Sequence, residues 1–430
     1  MTSLSAFDAA SILIVLAAVL GFINHQYLKL PAAIGLTIMG AVASLVVIGL
    51  DRIIPDSHLT PLVLGFLTSI DFQTTLMDGM LSFLLFAGAL HVDWTEMRRG
   101  RWAIGVLSTV GVVVSTLIVG VGICGAARLL GLQADLIWCF VFGALISPTD
   151  PVAVMGVLKR ANVPPLLQAT VAGESLFNDG VGVVVFAILL GVATGRETFS
   201  LGHAAEAFGW EAGGGVVLGL AVGWIAYRAM RRIDDFNVEV MISLAVVMGG
   251  YSIARWLHVS GPVAMAVAGL LIGNAAVANA MSDTTRDYVL KFWELIDEIL
   301  NAVLFLLIGL EVIAITSDAR VLLLGLLAIP LVVAARFIAV TSPLLVMRKQ
   351  LALGTIGVTT LVWGGLRGGI SVALALSLPP SSTRTVILGV TYVVVLFSVV
   401  VQGGSIARVI AMVKARQSVP DVSPVAELQQ

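Results

Sequence analysis

The sequence predicts an all-α polytopic membrane protein of thirteen transmembrane helices, arranged as two inverted six-helix repeats with crossed, interrupted helices. Three observations predict it. Of the 430 residues, 59% are hydrophobic and only 12% are charged. A soluble domain carries about 25% charge, so this chain lacks the polar surface to coat a soluble core of its length. Apolar runs near or above the ~18 residues that cross about 30 Å of hydrocarbon recur from end to end. Two of these runs are interrupted by proline or glycine around a charged residue, at corresponding places in the two halves.

Breaking the chain at polar and turn clusters places helices at 9–26, 31–50, 72–92, 102–130, 134–157, 167–194, 205–231, 236–257, 260–279, 286–315, 319–347, 353–378 and 383–413. The first run has no basic segment ahead of it, so it is read as a retained helix and not as a signal peptide. The third is the least regular, with Asp78 in its first turns, and the long connection 51–71 has room for an interfacial turn. Trp94, Trp102, Trp210 and Trp256 sit at helix ends, where an aromatic belt is expected. The five histidines also lie at helix ends or in loops.

Basic residues test the count. With an odd number of crossings, sixteen lysines and arginines fall on the side of the C-terminus, among them Arg98, Arg99, Lys159, Arg160 and Lys414, and six fall on the other. Cytoplasmic loops carry the excess of positive charge, so the C-terminus is expected inside and the N-terminus outside. The net charge of −2 carries no nucleic-acid footprint. Cys124 and Cys139 lie in consecutive apolar runs and imply neither a disulfide framework nor a metal site. No nucleophile–base set or metal-ligand spacing points to an enzyme.

Two basic residues fall inside apolar helices, Arg336 and Arg367, and so do three carboxylates, Asp150, Glu174 and Asp179. Ionisable groups at membrane depth are costly and mark pathways or ion sites. The fifth run contains Ser147-Pro148-Thr149-Asp150-Pro151. Each proline lacks an N–H, so the carbonyls of Ala144 and Ser147 lose their helical partners and the helix should break. The twelfth contains Gly364-Gly365-Leu366-Arg367-Gly368-Gly369, where four glycines weaken the helix strongly. Asp150 and Arg367 are 217 residues apart. Gly88, in Leu84–Leu90 of the third run, and Gly309, in Leu306–Leu310 of the tenth, are 221 apart. Both pairs are seven helices apart, and an odd offset makes the partners cross in opposite directions. This is an inverted repeat, with the seventh helix as linker. Interrupted helices at matching positions of such halves point to a transporter's binding site. Asp150 and Arg367 are placed to balance the partial charges of the half-helix ends.

The sixth run carries Gly173-Glu174-Ser175-Leu176-Phe177-Asn178-Asp179-Gly180. Glu174 and Asn178 are four residues apart, as are Ser175 and Asp179, so all four polar groups cluster on one side of the helix. At 1.5 Å per residue, Asp179 lies about 18 Å along its helix, Arg367 about 21 Å and Asp150 about 24 Å, so the three converge near the midplane. A buried arginine cannot neutralise itself. The reading pairs Glu174 with Arg367 as a structural ion pair, which leaves Asp179 free to hold either a small cation or a proton. Thr149, Ser175 and Asn178 add the neutral oxygens that hard cations prefer. Arg336 is assigned either to Asp150 or to a cap on an interrupted helix end. Glu294, Asp297 and Glu298, near the cytoplasmic end of the tenth helix, read as a solvated end or as an acidic funnel. The alternative for the whole cluster is a polar lock between helices that binds nothing.

SPTDP, GESLFNDG and GGLRGG, in this order and spacing, resemble the bacterial sodium/proton antiporters of the NhaP type, within the monovalent cation:proton antiporter-1 family, over residues 10–415. The resemblance implies the NhaA/NhaP-like antiporter fold in a homodimer surrounded by membrane lipid in the cell inner membrane. Helices 1–3 and 7–10 (9–92 and 205–315) would be the dimer scaffold. Helices 4–6 and 11–13 (102–194 and 319–413) would move as the transport domain, and 417–430 would be a short cytoplasmic tail. It implies a sodium site at Asp179, Asp150, Thr149 and Ser175, with Asp179 exchanging the proton. Asn178 looks like the asparagine of electroneutral members, and Glu174 and Arg367 like the family's structural ion pair. No cofactor is implied beyond the transported Na+ or Li+ and H+. Many relatives have a glutamate where this chain has Ala87. Exchange of K+ for H+, a sodium-coupled organic-anion symporter and a passive channel are the competing readings.

Overall fold

The computed structural model describes residues 6–54, 58–69, 79–161, 163–196, 200–277, 280–314, 318–346 and 354–417. Among them every regular element is helical, and the β-type contact is an isolated antiparallel bridge between Asp150 and Leu366. The described helices fall on all thirteen expected spans. The start of the third span, with Asp78, lies outside the described residues. Among the described residues, eight helices are long and apolar enough to cross a membrane, and three shorter apolar ones accompany them.

The chain opens with α1 (Ala6–Ile23), α2 (Ala32–Ile53) and a short α3 (Leu59–Ser69). That short helix lies in the connection read as a turn. The Asp51 carboxylate starts it by accepting from the amides of Leu59 and Thr60 at 3.0 and 3.1 Å. Next come α4 (Leu81–Leu90), α5 (Trp94–Arg99) and α6 (Arg101–Leu129). Asp93 caps α5 through the amides of Thr95 and Glu96. The fifth span is two pieces, α7 (Leu136–Ile146) and α8 (Val152–Arg160), followed by an unbroken α9 (Pro165–Ala193). The seventh is α10 (Leu201–Phe208) running through a π turn into α11 (Gly214–Met230). Then follow α12 (Phe236–Leu257), α13 (Gly261–Leu271) and α14 (Asp283–Leu310). Side chains of Asp235, Ser260 and Ser282 cap these three helices, each freeing the chain to turn sharply between crossings. The last third holds α15 (Ala319–Val346), the pieces α16 (Thr355–Trp363) and α17 (Gly369–Leu376), then α18 (Ser382–Phe397) and α19 (Gly404–Gln417).

Packing sorts the helices into two groups. In one, α2 lies on α14, and α13 is surrounded by α4, α11 and α12. Trp293 is fully buried at the centre of this group against Phe86, and its indole donates to Ser243 Oγ at 2.9 Å. In the other, α6 packs on α7, α9 and α15, while α18 joins α15 to α17. Small residues let the backbones approach. At Gly309 of α14 a Cβ would strike the backbone of α2 at Ala41, whose nitrogen would be 2.9 Å away. Side chains such as Val15, Phe22, Val121, Val217, Met248 and Phe337 point outward, and a surface this apolar is at home against lipid. Trp94, Trp102, Trp210 and Trp256 are all exposed.

Candidate functional site

Both expected interruptions are present, and they touch. The extended stretch between α7 and α8 meets the one between α16 and α17, where Asp150 N–H donates to the Leu366 carbonyl at 2.8 Å. An amide left without a helical partner at one break is thereby satisfied by a carbonyl at the other, which is how irregular chain survives away from water. Asp150 also starts α8, its Oδ1 accepting from Val152 N–H at 2.9 Å. A carboxylate at a helix N-terminus is favourable, so Asp150 balances a half-helix end as the sequence suggests. The carboxylate also rests against Gly368, where a Cβ would lie 2.9 Å from Asp150 Cγ.

Against this crossing α9 presents its polar face. Thr149 Oγ1 and Ser175 Oγ share a hydrogen bond of 3.0 Å. Asn178 donates from Nδ2 to Thr149 Oγ1 and to Glu174 Oε1, both at 2.8 Å, and its Oδ1 accepts from Thr149 N–H at 3.3 Å. Asn178 thus ties the first interruption to the carboxylate helix. Asp179 is 5% exposed, and among the described residues its carboxylate has no hydrogen-bond or ion-pair partner. It lines a cavity of about 430 Å³ together with Thr149 and Asp150. The cavity reaches the surface beside His91, Lys159 and Glu294.

The arginines correct the sequence reading. Glu174 pairs with Arg336 and not with Arg367. Arg336 NH1 and NH2 donate to Glu174 Oε1 and Oε2 at 2.8 and 2.7 Å, a bidentate pair between two buried side chains. Arg336 Nε also donates to the Leu361 carbonyl at 3.1 Å. Arg336 therefore caps the carboxyl end of α16, one of the two roles foreseen for it, but does not pair with Asp150. Arg367 is 2% exposed and bonds to backbone: its NH1 donates to the Gly365 carbonyl at 2.9 Å. Its amide donates to Ser398 Oγ at 2.8 Å, and its Nε has no partner. The physical reason is depth. Counted from the helix ends on the side that carries most of the basic residues, Glu174 lies about 10 Å in, Arg336 about 16 Å and Arg367 about 21 Å. The roles of Leu361 and Ser398 carry no sequence signal, because they depend on how helices far apart in the chain pack.

Among the described residues no three of His, Cys, Asp and Glu converge as a metal centre. What the site holds is one free carboxylate beside hydroxyl, amide and carboxylate oxygens, an arrangement for a weakly held monovalent cation or a proton. The family described as "Sodium/hydrogen exchanger, transmembrane" matches residues 13–412. The chain belongs to that family. It is 46% identical to the Na+/H+ antiporter NhaP of Pseudomonas aeruginosa, over 95% of this chain and 97% of that protein. It is 33% identical to the Na+/H+ antiporter NhaH of Halobacillus dabanensis, over 88% and 91% of the two chains. Among solved structures it resembles the sodium proton antiporter MjNhaP1 of Methanocaldococcus jannaschii at pH 8, with a TM-score of 0.71 and 22% identity, over 94% of this chain and 98% of that one. The family fixes the setting of the site as a multi-pass membrane protein that is a transporter and not an enzyme.

The close approach at Gly368 gives this exchanger a sensitive point. Gly368→Ala is expected to push the Asp150 carboxylate off the amide of Val152 and to cost about 1–3 kcal/mol by overpacking. A lowered melting temperature of the purified protein, with weakened cation-dependent proton flux, is the outcome to look for; wild-type values in both would show that the crossing tolerates a methyl group.

Proposed function

We propose that this chain exchanges Na+ or Li+ for H+ across the cell inner membrane by alternating access, with Asp179 as the exchanging carboxylate. The observation that carries the reading is the Asp179 side chain itself, which faces the cavity without a partner beside Thr149, Ser175 and Asp150. A carboxylate in that position binds a cation or a proton, and each excludes the other. Obligate exchange needs nothing further. The names of the relatives support the same assignment.

In this reading Thr149, Ser175 and Asp150 complete the cation site, while Asn178 orients it. Because Asn178 is neutral and Glu174 is committed to Arg336, a single carboxylate cycles, and exchange is one for one and electroneutral. The group of α6–α9 and α15–α19 moves as the transport body against the group of α1–α4 and α10–α14, through which two copies associate. The cavity then opens to the cytoplasm, since Lys159 and Glu294 at its mouth lie on the side rich in basic residues. The N-terminus is outside, the C-terminus is inside, and no cofactor takes part.

Proteoliposomes with a trapped pH dye test the proposal. Addition of NaCl or LiCl should move protons, choline chloride should not, and the rate should be insensitive to an imposed membrane potential. A response to KCl alone would assign the chain to potassium exchange, a potential-dependent rate would overturn the stoichiometry, and a silent, folded protein would overturn antiport.

A further inference from the structure

The cavity has a second polar wall that the exchange reading leaves unused. Asp297 and Asn301 are four residues apart on α14, so they share a face, and both line the cavity. Asn301 is 7% exposed. Its amide lies beside the Asp297 carboxylate, yet neither its oxygen nor its nitrogen makes a well-formed hydrogen bond. Ser371, on the first turn of α17, is 1% exposed, and its hydroxyl also has no partner and lines the same cavity. The two helices meet where Leu304, one turn beyond Asn301, fills the space that a Cβ on Gly369 would need. Asn301 and Ser371 therefore lie on the two helices that meet at this contact. Asp297 and Asp150 line the same cavity, and this joins the wall to the crossing of the interrupted helices. By contrast, α4 contributes Leu84, Leu85, Ala87 and Gly88 to the cavity, without a charged group.

Buried amides and hydroxyls are almost always hydrogen-bonded, and those that are not call for an explanation such as an ion. Here Asn301 and Ser371 line the same cavity as the Asp297 carboxylate. One carboxylate, one amide oxygen and one hydroxyl make a hard-cation set with a single negative charge, matched to a monovalent ion that keeps part of its water. We propose that Asp297, Asn301 and Ser371 form a second subsite for the transported monovalent cation, occupied on its way between the cytoplasm and Asp179. The inference rests on the cation-exchange reading. It differs from a diffuse acidic funnel, which Glu294 and Glu298, both exposed, would supply without any coordination.

The subsite makes transport depend on Asp297 at low sodium and not at saturation. In proteoliposomes of the full chain, Asp297→Asn should raise the KM for Na+ about tenfold while changing maximal rate about twofold or less. Ser371→Ala and Asn301→Ala should raise it several-fold, and both are small changes that keep the test open if Asp297→Asn fails to fold. Glu294→Gln removes the same charge at the exposed mouth. Its smaller effect should vanish when choline chloride raises the ionic strength, whereas that of Asp297→Asn should persist. Equal behaviour of the two variants would reduce Asp297 to surface electrostatics and overturn the proposal. A second measurement needs no flux. At constant ionic strength in detergent, Na+ should still raise the melting temperature of Asp179→Asn, and the combined Asp179→Asn/Asp297→Asn variant should lose that rise. No rise in the single variant would overturn the subsite, while persistent exchange by Asp179→Asn would instead overturn the role given to Asp179.

Discussion

Asp179→Asn is expected to abolish sodium-driven proton movement while leaving the protein folded. The substitution keeps the shape of the side chain and removes its charge. It orphans no donor, because the carboxylate has no partner among the described residues. It also relieves repulsion from the carboxylates of Asp150 and Glu174. Folding therefore loses nothing, and the melting temperature should equal or exceed that of the wild type. Transport loses its central term. A cation about 4 Å from a carboxylate gains about 4 kcal/mol at the effective dielectric of a protein site, which corresponds to roughly 1,000-fold in affinity. The variant also has no group to carry the proton back. In the pH-dye assay its response to NaCl should match that of protein-free liposomes. Sodium-dependent proton flux above that background, from well-folded variant protein, would remove Asp179 from the exchange step.

Breaking the Glu174–Arg336 pair should instead cost the fold. The pair is bidentate and buried, with side chains 1% and 7% exposed. Removing either partner leaves a buried charge uncompensated, at about 3–5 kcal/mol. Glu174→Gln strands Arg336. Arg336→Met strands Glu174 and also uncaps the Leu361 carbonyl at the end of α16. Each single variant should therefore express poorly or melt early. The double variant should be less damaged than the sum of the two, with a coupling of at least about 1 kcal/mol. The same cycle between Glu174 and Arg367 should give a much smaller coupling, since Arg367 bonds to the Gly365 carbonyl and not to a carboxylate. A larger coupling to Arg367 than to Arg336 would restore the pairing suggested by sequence alone.

Much of the site was legible in the chain because membrane helices obey strong local rules. Pro148 and Pro151 remove donors, so the break between α7 and α8 follows from backbone chemistry. The glycines around Arg367 favour the break between α16 and α17 through their backbone freedom. Glu174, Ser175, Asn178 and Asp179 share a helix face by spacing, and the structure finds the first three within one hydrogen-bonded cluster with Thr149, with Asp179 facing the cavity beside it. The pairing of the arginines was not legible in the same way. Both sit in apolar helices, both need compensation, and the choice between them turns on a few ångströms of depth and on which helix packs beside α9.

By itself, then, the sequence determined the class of fold, the two interruptions and the set of polar groups at membrane depth. Each follows from a cost that is local: hydrocarbon demands internal hydrogen bonds, proline denies them, runs of glycine weaken the helix that supplies them, and buried charge is too expensive to occur without purpose. Only the tertiary structure decided that Arg336 and not Arg367 neutralises Glu174, that Asp150 bonds to Leu366 across the two breaks, and that Asp297, Asn301 and Ser371 share the cavity of Asp179. These are contacts between segments tens to hundreds of residues apart. Their geometry is set by how small residues such as Gly309 and Gly368 let helices approach, and no local rule along the chain contains that information.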